Sequence, residues 1–234
     1  MKKVLSVIII SVLSLSLTQA QSVDEIVSKY ITAIGGAAKQ KALKSRKMTM
    51  VLHQSGVQIP GSIIADAETR QKLELNFNGA KLVQAYDGTT GWTINQFQGI
   101  NNPTKLEGEQ AKQVADVQFV DDFIDYKKNK SVIELEGEED FEGTAAYKIK
   151  MTKASGLVST HFFAQDTGLK IGVGETSGGQ SVISIYEDFQ ETDGIVSARK
   201  VTQQIDGQVA LFFVFSKVEH NVDVSDDLYA FPGN

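Results

Sequence analysis

Apolar positions recur along this chain first at helical and then at strand spacing. Val23, Ile26, Val27, Tyr30, Ile31 and Ile34 fall on one stripe, three and four residues apart, so residues 22–43 read as helical. Ser22 stands where an N-cap belongs, with Glu25 three residues on, the spacing of a capping box. Gly35-Gly36 interrupts the stripe, and residues 37–43 read as a second short helical turn. Alternation then takes over. Met48, Met50 and Leu52 alternate with Thr49, Val51 and His53, and Leu73, Leu75 and Phe77 alternate with Lys72, Glu74 and Asn76. Asn78-Gly79 is a hairpin signal, Ala80 to Tyr86 the return strand, and Asp87-Gly88 a turn before Gly91-Trp92-Thr93-Ile94.

One stretch breaks this meander. Residues 107–126 place Ala111, Val114, Ala115, Phe119, Val120, Phe123 and Ile124 at mostly helical spacing. The expectation is one or two helices entered after a turn at Asn101-Asn102-Pro103. Strands resume at Val132. Tyr147, Ile149 and Met151 alternate with Lys148, Lys150 and Thr152, and Val158, Thr160 and Phe162 alternate with Leu157, Ser159, His161 and Phe163. Asp166-Thr167-Gly168, Asp193-Gly194 and Asp206-Gly207 mark turns. Leu211 to Phe215 is apolar on both faces and predicts a strand covered on both sides. A long antiparallel sheet twists and curls, and its apolar face has to be buried. Two helical segments are at hand, so the order predicts a mainly β fold, a curved sheet wrapped around helices.

Composition narrows the compartment. Met1-Lys2-Lys3, the apolar run Val4 to Leu17 and Thr18-Gln19-Ala20 have the form of a cleavable export signal, so residues 1–20 read as a signal peptide and 21–234 as one domain. The position after Ala20 is Gln21, and the chain has no cysteine. No thiol is available for a lipid anchor or a disulfide, and stability must come from packing. The expected product is an unanchored periplasmic monomer. The net charge of −6 disfavours nucleic acid and anionic lipid surfaces as partners.

A search for chemistry yields little. His53, His161 and His220 each stand alone in or at the end of a predicted strand and read as exposed side chains, with no metal-ligand spacing. There is no nucleophile elbow, and Gly172-Val173-Gly174 and Gly178-Gly179 lack the lysine and helix of a phosphate loop. The acidic run Glu134, Glu136, Glu138, Glu139, Asp140 and Glu142 reads as the solvent face of a hairpin rather than a calcium site or a carboxylate pair. Trp92 reads either as a core aromatic past a turn or as the wall of an apolar cavity. Met48, Met50 and Met151 suit a core and equally suit a surface that accepts variable apolar ligands. No catalytic, metal or cofactor site emerges.

Taken in order, several short features resemble the LolA/LolB-like outer membrane lipoprotein-sorting (lipoprotein carrier) family, in its divergent Bacteroidetes-type form. These are the opening amphipathic helix, the strand pair around Asn78-Gly79, and Tyr86-Asp87-Gly88 followed by Gly91-Trp92. Gly137 with Glu142-Gly143 ahead of Tyr147-Lys148-Ile149, Asp166-Thr167-Gly168-Leu169, Asp193-Gly194-Ile195 and Asn221-Val222 to Phe231-Pro232 complete the set. The resemblance implies an unclosed, strongly curved antiparallel β-barrel with helices covering the concave apolar face. It implies a non-enzymatic periplasmic chaperone that carries acyl chains of lipoproteins or other lipids to the outer membrane, between an inner-membrane release complex and an outer-membrane acceptor. In carriers of that family an arginine on an early strand holds the lid closed; Arg46 and Arg70 lie in that region, but no local motif matches either.

The same fold also serves envelope sensors that bind a protein partner, and a secreted hydrolase is a third class. For a carrier, the expected apolar ligand surface is Met48, Met50 and Leu52, then Leu73, Leu75 and Phe77, then Tyr147, Ile149 and Met151, joined by Trp92 and Phe162. Whether these line a cavity or pack beneath the helices is not readable from periodicity.

Overall fold

The computed structural model describes residues 21–233; the signal-peptide reading of residues 1–20 lies outside the described residues. The chain opens with helix α1 (Val23–Ala33) and helix α2 (Ala37–Ala42). The predicted capping box is formed: Ser22 Oγ accepts from the Glu25 amide, and the Glu25 carboxylate accepts from the Ser22 amide at 2.8 Å. The elbow between the helices depends on Gly35, at φ +101°. A Cβ there would meet the Gly194 carbonyl oxygen at 2.1 Å, so only glycine lets the elbow rest on the Asp193-Gly194 turn.

Thirteen strands follow: β1 (Ser45–Gln54), β2 (Val57–Asp66), β3 (Gln71–Phe77), β4 (Ala80–Tyr86), β5 (Gly91–Asn95) and β6 (Ile100–Lys105) precede helix α3 (Gly108–Ala115). After it come β7 (Val132–Phe141), β8 (Thr144–Thr152), β9 (Val158–Ala164), β10 (Lys170–Ser177), β11 (Gln180–Thr192), β12 (Ile195–Ile205) and β13 (Gln208–His220). They form one antiparallel sheet in the order β6-β5-β4-β3-β2-β1-β13-β12-β11-β10-β9-β8-β7. Among the described residues the fold is mainly β, an unclosed and curved barrel with three helices: the pattern predicted the curved sheet around helices, and the resemblance implied the unclosed barrel. Its two edge strands, β6 and β7, are consecutive in the chain. Residues 106–131, here called the strap, must therefore cross from one edge to the other. They do so over the concave inner face.

The register assigns side chains to faces. Leu52 pairs with Phe213, Phe213 with Val201, and Val201 with Tyr186, while Val173 pairs with His161 and His161 with Ile149. Paired residues share a face, so a single inner face runs from β1 through β13 to β8. Two of the apolar clusters on it matter here, beside a third that packs Phe119 of the strap with Leu43 and Ile195. One packs Ile26, Val27, Tyr30 and Ile34 of α1 against Ile149, Met151 and Phe163, with Phe123 of the strap between them. The other joins Met50, Leu52, Leu75 and Phe215.

Four expectations are corrected. Residues 101–103 are not a turn but part of β6; Pro103, which has no N–H to donate, is tolerated because β6 is an edge. The helical reading of 107–126 holds only for α3, because Phe119 and Phe123 are buried from turns rather than from a helical face. β13 is not covered on both sides: Leu211, Phe213 and Phe215 point inward, whereas Val214 on the outer face is 36% exposed. His161 is not exposed, being buried on the inner face, and the His220 side chain is buried beside Asp193.

Candidate functional site

The eleven residues expected to line a ligand surface separate into three places. Met48, Met50, Leu52, Leu73 and Leu75 lie together on the inner face, and Phe77 continues their row at the hairpin end of β3. Tyr147, Ile149 and Met151 share that face but sit beneath α1, with Ile149 and Met151 fully buried in the packed core. Trp92 and Phe162 point the other way. Trp92 pairs with Ala85, and Ala85 with Lys72, one residue out of phase with Leu73. Its ring packs near Phe231 and its Nε1 donates to the Tyr229 carbonyl at 2.8 Å, so it is the outer-face core aromatic covered by the C-terminal segment. Phe162 stacks on Phe141 at 4.1 Å, also outside. Because the side-chain period of a strand is two, one step of phase decides the face. Sequence reasoning missed the inward row Leu211, Phe213 and Phe215, legible as alternation had β13 not been read as apolar throughout.

The strap covers this face and leaves room on either side of itself. One cavity of about 210 Å³ lies under residues 117–119, against Arg46, Met48 and Ile63. A second, of about 470 Å³, opens between the strap and β9, β10 and β11, near His161, Val173 and Tyr186. Val117 and Gln118 line both, so the strap itself is the partition.

Side chains rather than a strand ladder hold the strap down. Asp121 accepts from the Tyr30 hydroxyl of α1 at 2.8 Å and from Lys170 Nζ of β10 at 2.5 Å. Burial raises the Asp121 pKa, but Lys170, the two side-chain hydrogen bonds and the Phe123 amide outweigh it and hold the carboxyl below its ordinary value. Lys153 sits 2.9 Å from both Asp116 and Asp122. Asp125 reaches Lys41 of α2 at 2.6 Å, a more exposed contact worth less. At the other end Val114 of α3 rests on Gly91, where a Cβ would come within 2.7 Å of Val114 Cγ2. Gln113 Nε2 donates to Ser177 Oγ at 3.2 Å across the cleft.

The two candidate arginines have different places. Arg46 points inward, its guanidinium carbon 5.5 Å above the Phe119 ring, and its Nε finds no hydrogen-bond partner among the described residues. Arg70 instead ties Asp66 to Asp226 of the C-terminal segment and stacks over Tyr229. Both arginines border the smaller cavity, but it is Arg46 that stacks beneath the strap ring of Phe119.

Hydrolytic chemistry has one point of contact here, Ser159 Oγ at 2.8 Å from His161 Nε2. The pair lacks an orienting group, since His161 Nδ1 meets no partner among the described residues. Burial and the neighbouring Lys170 pull the imidazole down to about 3, too low for a general base at neutral pH.

No family model matches the sequence, and no curated protein matches it. Solved structures do match in fold. A LolA superfamily protein from Nitrosomonas europaea superposes with a TM-score of 0.60 at 12% identity, covering 90% of this chain and 98% of that one. A DUF1329 family protein from Desulfovibrio piger gives 0.57 at 14% identity, covering 88% and 97%. A Vibrio parahaemolyticus domain named for outer membrane lipoprotein sorting gives 0.57 at 9% identity, covering 87% and 97%. The open barrel of this chain thus shares its fold with these three solved structures.

Proposed function

We propose that this protein is an exported, non-enzymatic carrier that shelters acyl chains of lipoproteins or other lipids while they cross the aqueous envelope. One observation carries the reading. An apolar inner face built from Met48, Met50, Leu52, Leu73 and Leu75 lies beside a strap fastened by side-chain contacts, with cavities on both sides of that strap. Each methylene brought out of water is worth about 0.8 kcal/mol. An acyl chain therefore gains enough by replacing the strap to offset a few ion pairs. The pair of cavities measures about 470 and 210 Å³, and lifting residues 117–119 would join the one at β1 to β3 with the one at β9 to β11 in a single groove. Arg46 beneath Phe119 is the residue placed to favour the closed strap. Delivery would then need an inner-membrane complex that loads the carrier and an outer-membrane acceptor that empties it.

The test is direct. Protein spanning residues 21–234 is purified without detergent, its bound lipid is extracted and analysed by mass spectrometry, and a fluorescent fatty-acid probe is titrated in. Co-purifying acylated species and saturable, displaceable probe binding are expected. Protein free of acylated ligand that also ignores the probe would sink the carrier reading.

A further inference from the structure

We propose that the larger cavity, bounded by the strap and strands β9 to β11, is a head-group site for amphiphiles whose head is uncharged and bears hydroxyl groups. The inference rests on the carrier reading and adds the class of lipid. Three features of the cavity carry it.

The first is an unpaired, buried polar group. His161 is only 5% exposed, Nε2 contacts Ser159, and Nδ1 meets nothing among the described residues. A buried polar atom left without a partner costs free energy, which a ligand hydroxyl recovers once the side chains that close over Nδ1 give way to it. Whether Ser159 donates to Nε2 or accepts from it, a hydroxyl serves the remaining nitrogen, because it both donates and accepts. Tyr186, two strands away on the same wall, carries a second hydroxyl with no hydrogen-bond partner among the described residues.

The second feature is the sign of the charge. Asp116, Asp121, Asp122 and Glu175 line the cavity against two lysines, Lys153 and Lys170. Both lysines are already engaged by the strap aspartates, at 2.5 to 2.9 Å. A phosphate, sulfate or carboxylate head entering here would meet excess negative charge and no free cation. Hydroxyl groups suffer no such repulsion, and carboxylates accept hydrogen bonds from them.

The third is continuity. Val173, Leu157 and Val158 give the same cavity an apolar side, and Val117 and Gln118 lead from it to the smaller cavity at Met48 and Ile63. A head held at His161 and Tyr186 therefore sends its chain onto the inner-face cluster. The volume of about 470 Å³ suits one small polar head.

The experiment compares three lipids of one chain length, 1-monopalmitoylglycerol, palmitate and palmitoyl lysophosphatidate, in competition against one fluorescent probe. The monoacylglycerol should displace it at concentrations at least about tenfold below the two anionic lipids, the size of one or two recovered hydrogen bonds. Tyr186→Phe, which removes a single oxygen, should bring that ratio to about twofold or less, and His161→Phe likewise. Should His161→Phe fail to fold, Tyr186→Phe decides alone. Equal displacement by all three, preference for an anionic head, or an unchanged ratio in Tyr186→Phe would overturn the head-group site while leaving the carrier reading standing. Displacement by none of them would overturn both.

Discussion

Ile149 and Met48 occupy equivalent positions in the alternation of their strands, yet they should respond to truncation in opposite ways. Ile149 is fully buried beneath α1, in contact with the edge-to-face trio of Tyr30, Phe123 and Phe163. Ile149→Ala should cost about 2–5 kcal/mol in chemical denaturation and leave probe affinity in the folded fraction unchanged. Met48 is half-buried at the wall of the smaller cavity. Met48→Ala should move stability by less than about 1 kcal/mol and weaken acyl-probe binding severalfold. Acid supplies a second test at this scale. Unfolded, His161 titrates near 6.5, whereas in the fold burial and Lys170 hold it near about 3. Between those values the unfolded chain binds the extra proton, so stability falls as pH drops from about 6.5. Asp121 acts lower: its contribution is complete above the unfolded value of about 3.9 and is lost as pH falls through its depressed folded value. Thermal melts should show His161→Gln gaining on the parent chain from pH 7 to pH 4. The deficit of Asp121→Asn at pH 7 should shrink below pH 4. A constant offset at every pH would refute both assignments.

At the level of elements, the strap and α1 are held by different physics. α1 buries an apolar stripe, which its sequence announces through Val23, Ile26, Val27 and Tyr30 at helical spacing and through a formed capping box. The strap has only one short helix; besides burying Phe119 and Phe123, it is fixed by Asp116, Asp121, Asp122 and Asp125 reaching lysines distant in sequence. Such pairing leaves no periodic signature, which is why residues 116–126 read as helix from Phe119, Phe123 and Ile124 when they are turns. The strands of β3, β4 and β8 were legible because one face is buried and the turns between them carry Asn-Gly or Gly. The faces of Trp92 and Phe162 were not, since a pattern of alternation names two faces without saying which is inner. The strap should accordingly be the part that yields. With no native cysteine, Val117→Cys gives a unique attachment point, and Val117 is 46% exposed. An environment-sensitive dye there should change emission on adding an acyl lipid, and amides of 106–131 should exchange faster than those of β8 and β12. Gly91→Ala, which pushes on Val114, should speed that exchange further and raise the rate of probe uptake. Lipid binding with a silent dye and an unaltered exchange pattern would show that the strap stays closed.

The molecule as a whole accepts a hazard that a closed barrel avoids, because an open sheet leaves β6 and β7 with unpaired ladder groups. β6 is short and carries Pro103. β7 is longer, ten residues, and its Val132 and Leu135 are 58% and 38% exposed, so it is the edge at risk. What protects it is the acidic run that the sequence shows most plainly. Glu134 and Glu139 reach across to Lys150 and Lys148, and a bulge between Leu135 and Gly137 bends the strand. Glu138 adds a third charge, bonded to Gln165. Two such edges meeting antiparallel would bring like charges together without solvent between them, a repulsion that opposes pairing. On this account the charges of the run oppose edge-to-edge pairing of the open sheet. Replacing Glu134 and Glu138 together by threonine keeps strand propensity and removes the repulsion. Light scattering across a concentration series should then show dimers or larger species, with the parent chain remaining monomeric. Adding salt should shift the parent in the same direction as the substitution, because screening weakens the same repulsion. A double variant that stays monomeric at every concentration would mean that the bulge and the twist of β7 alone guard the edge.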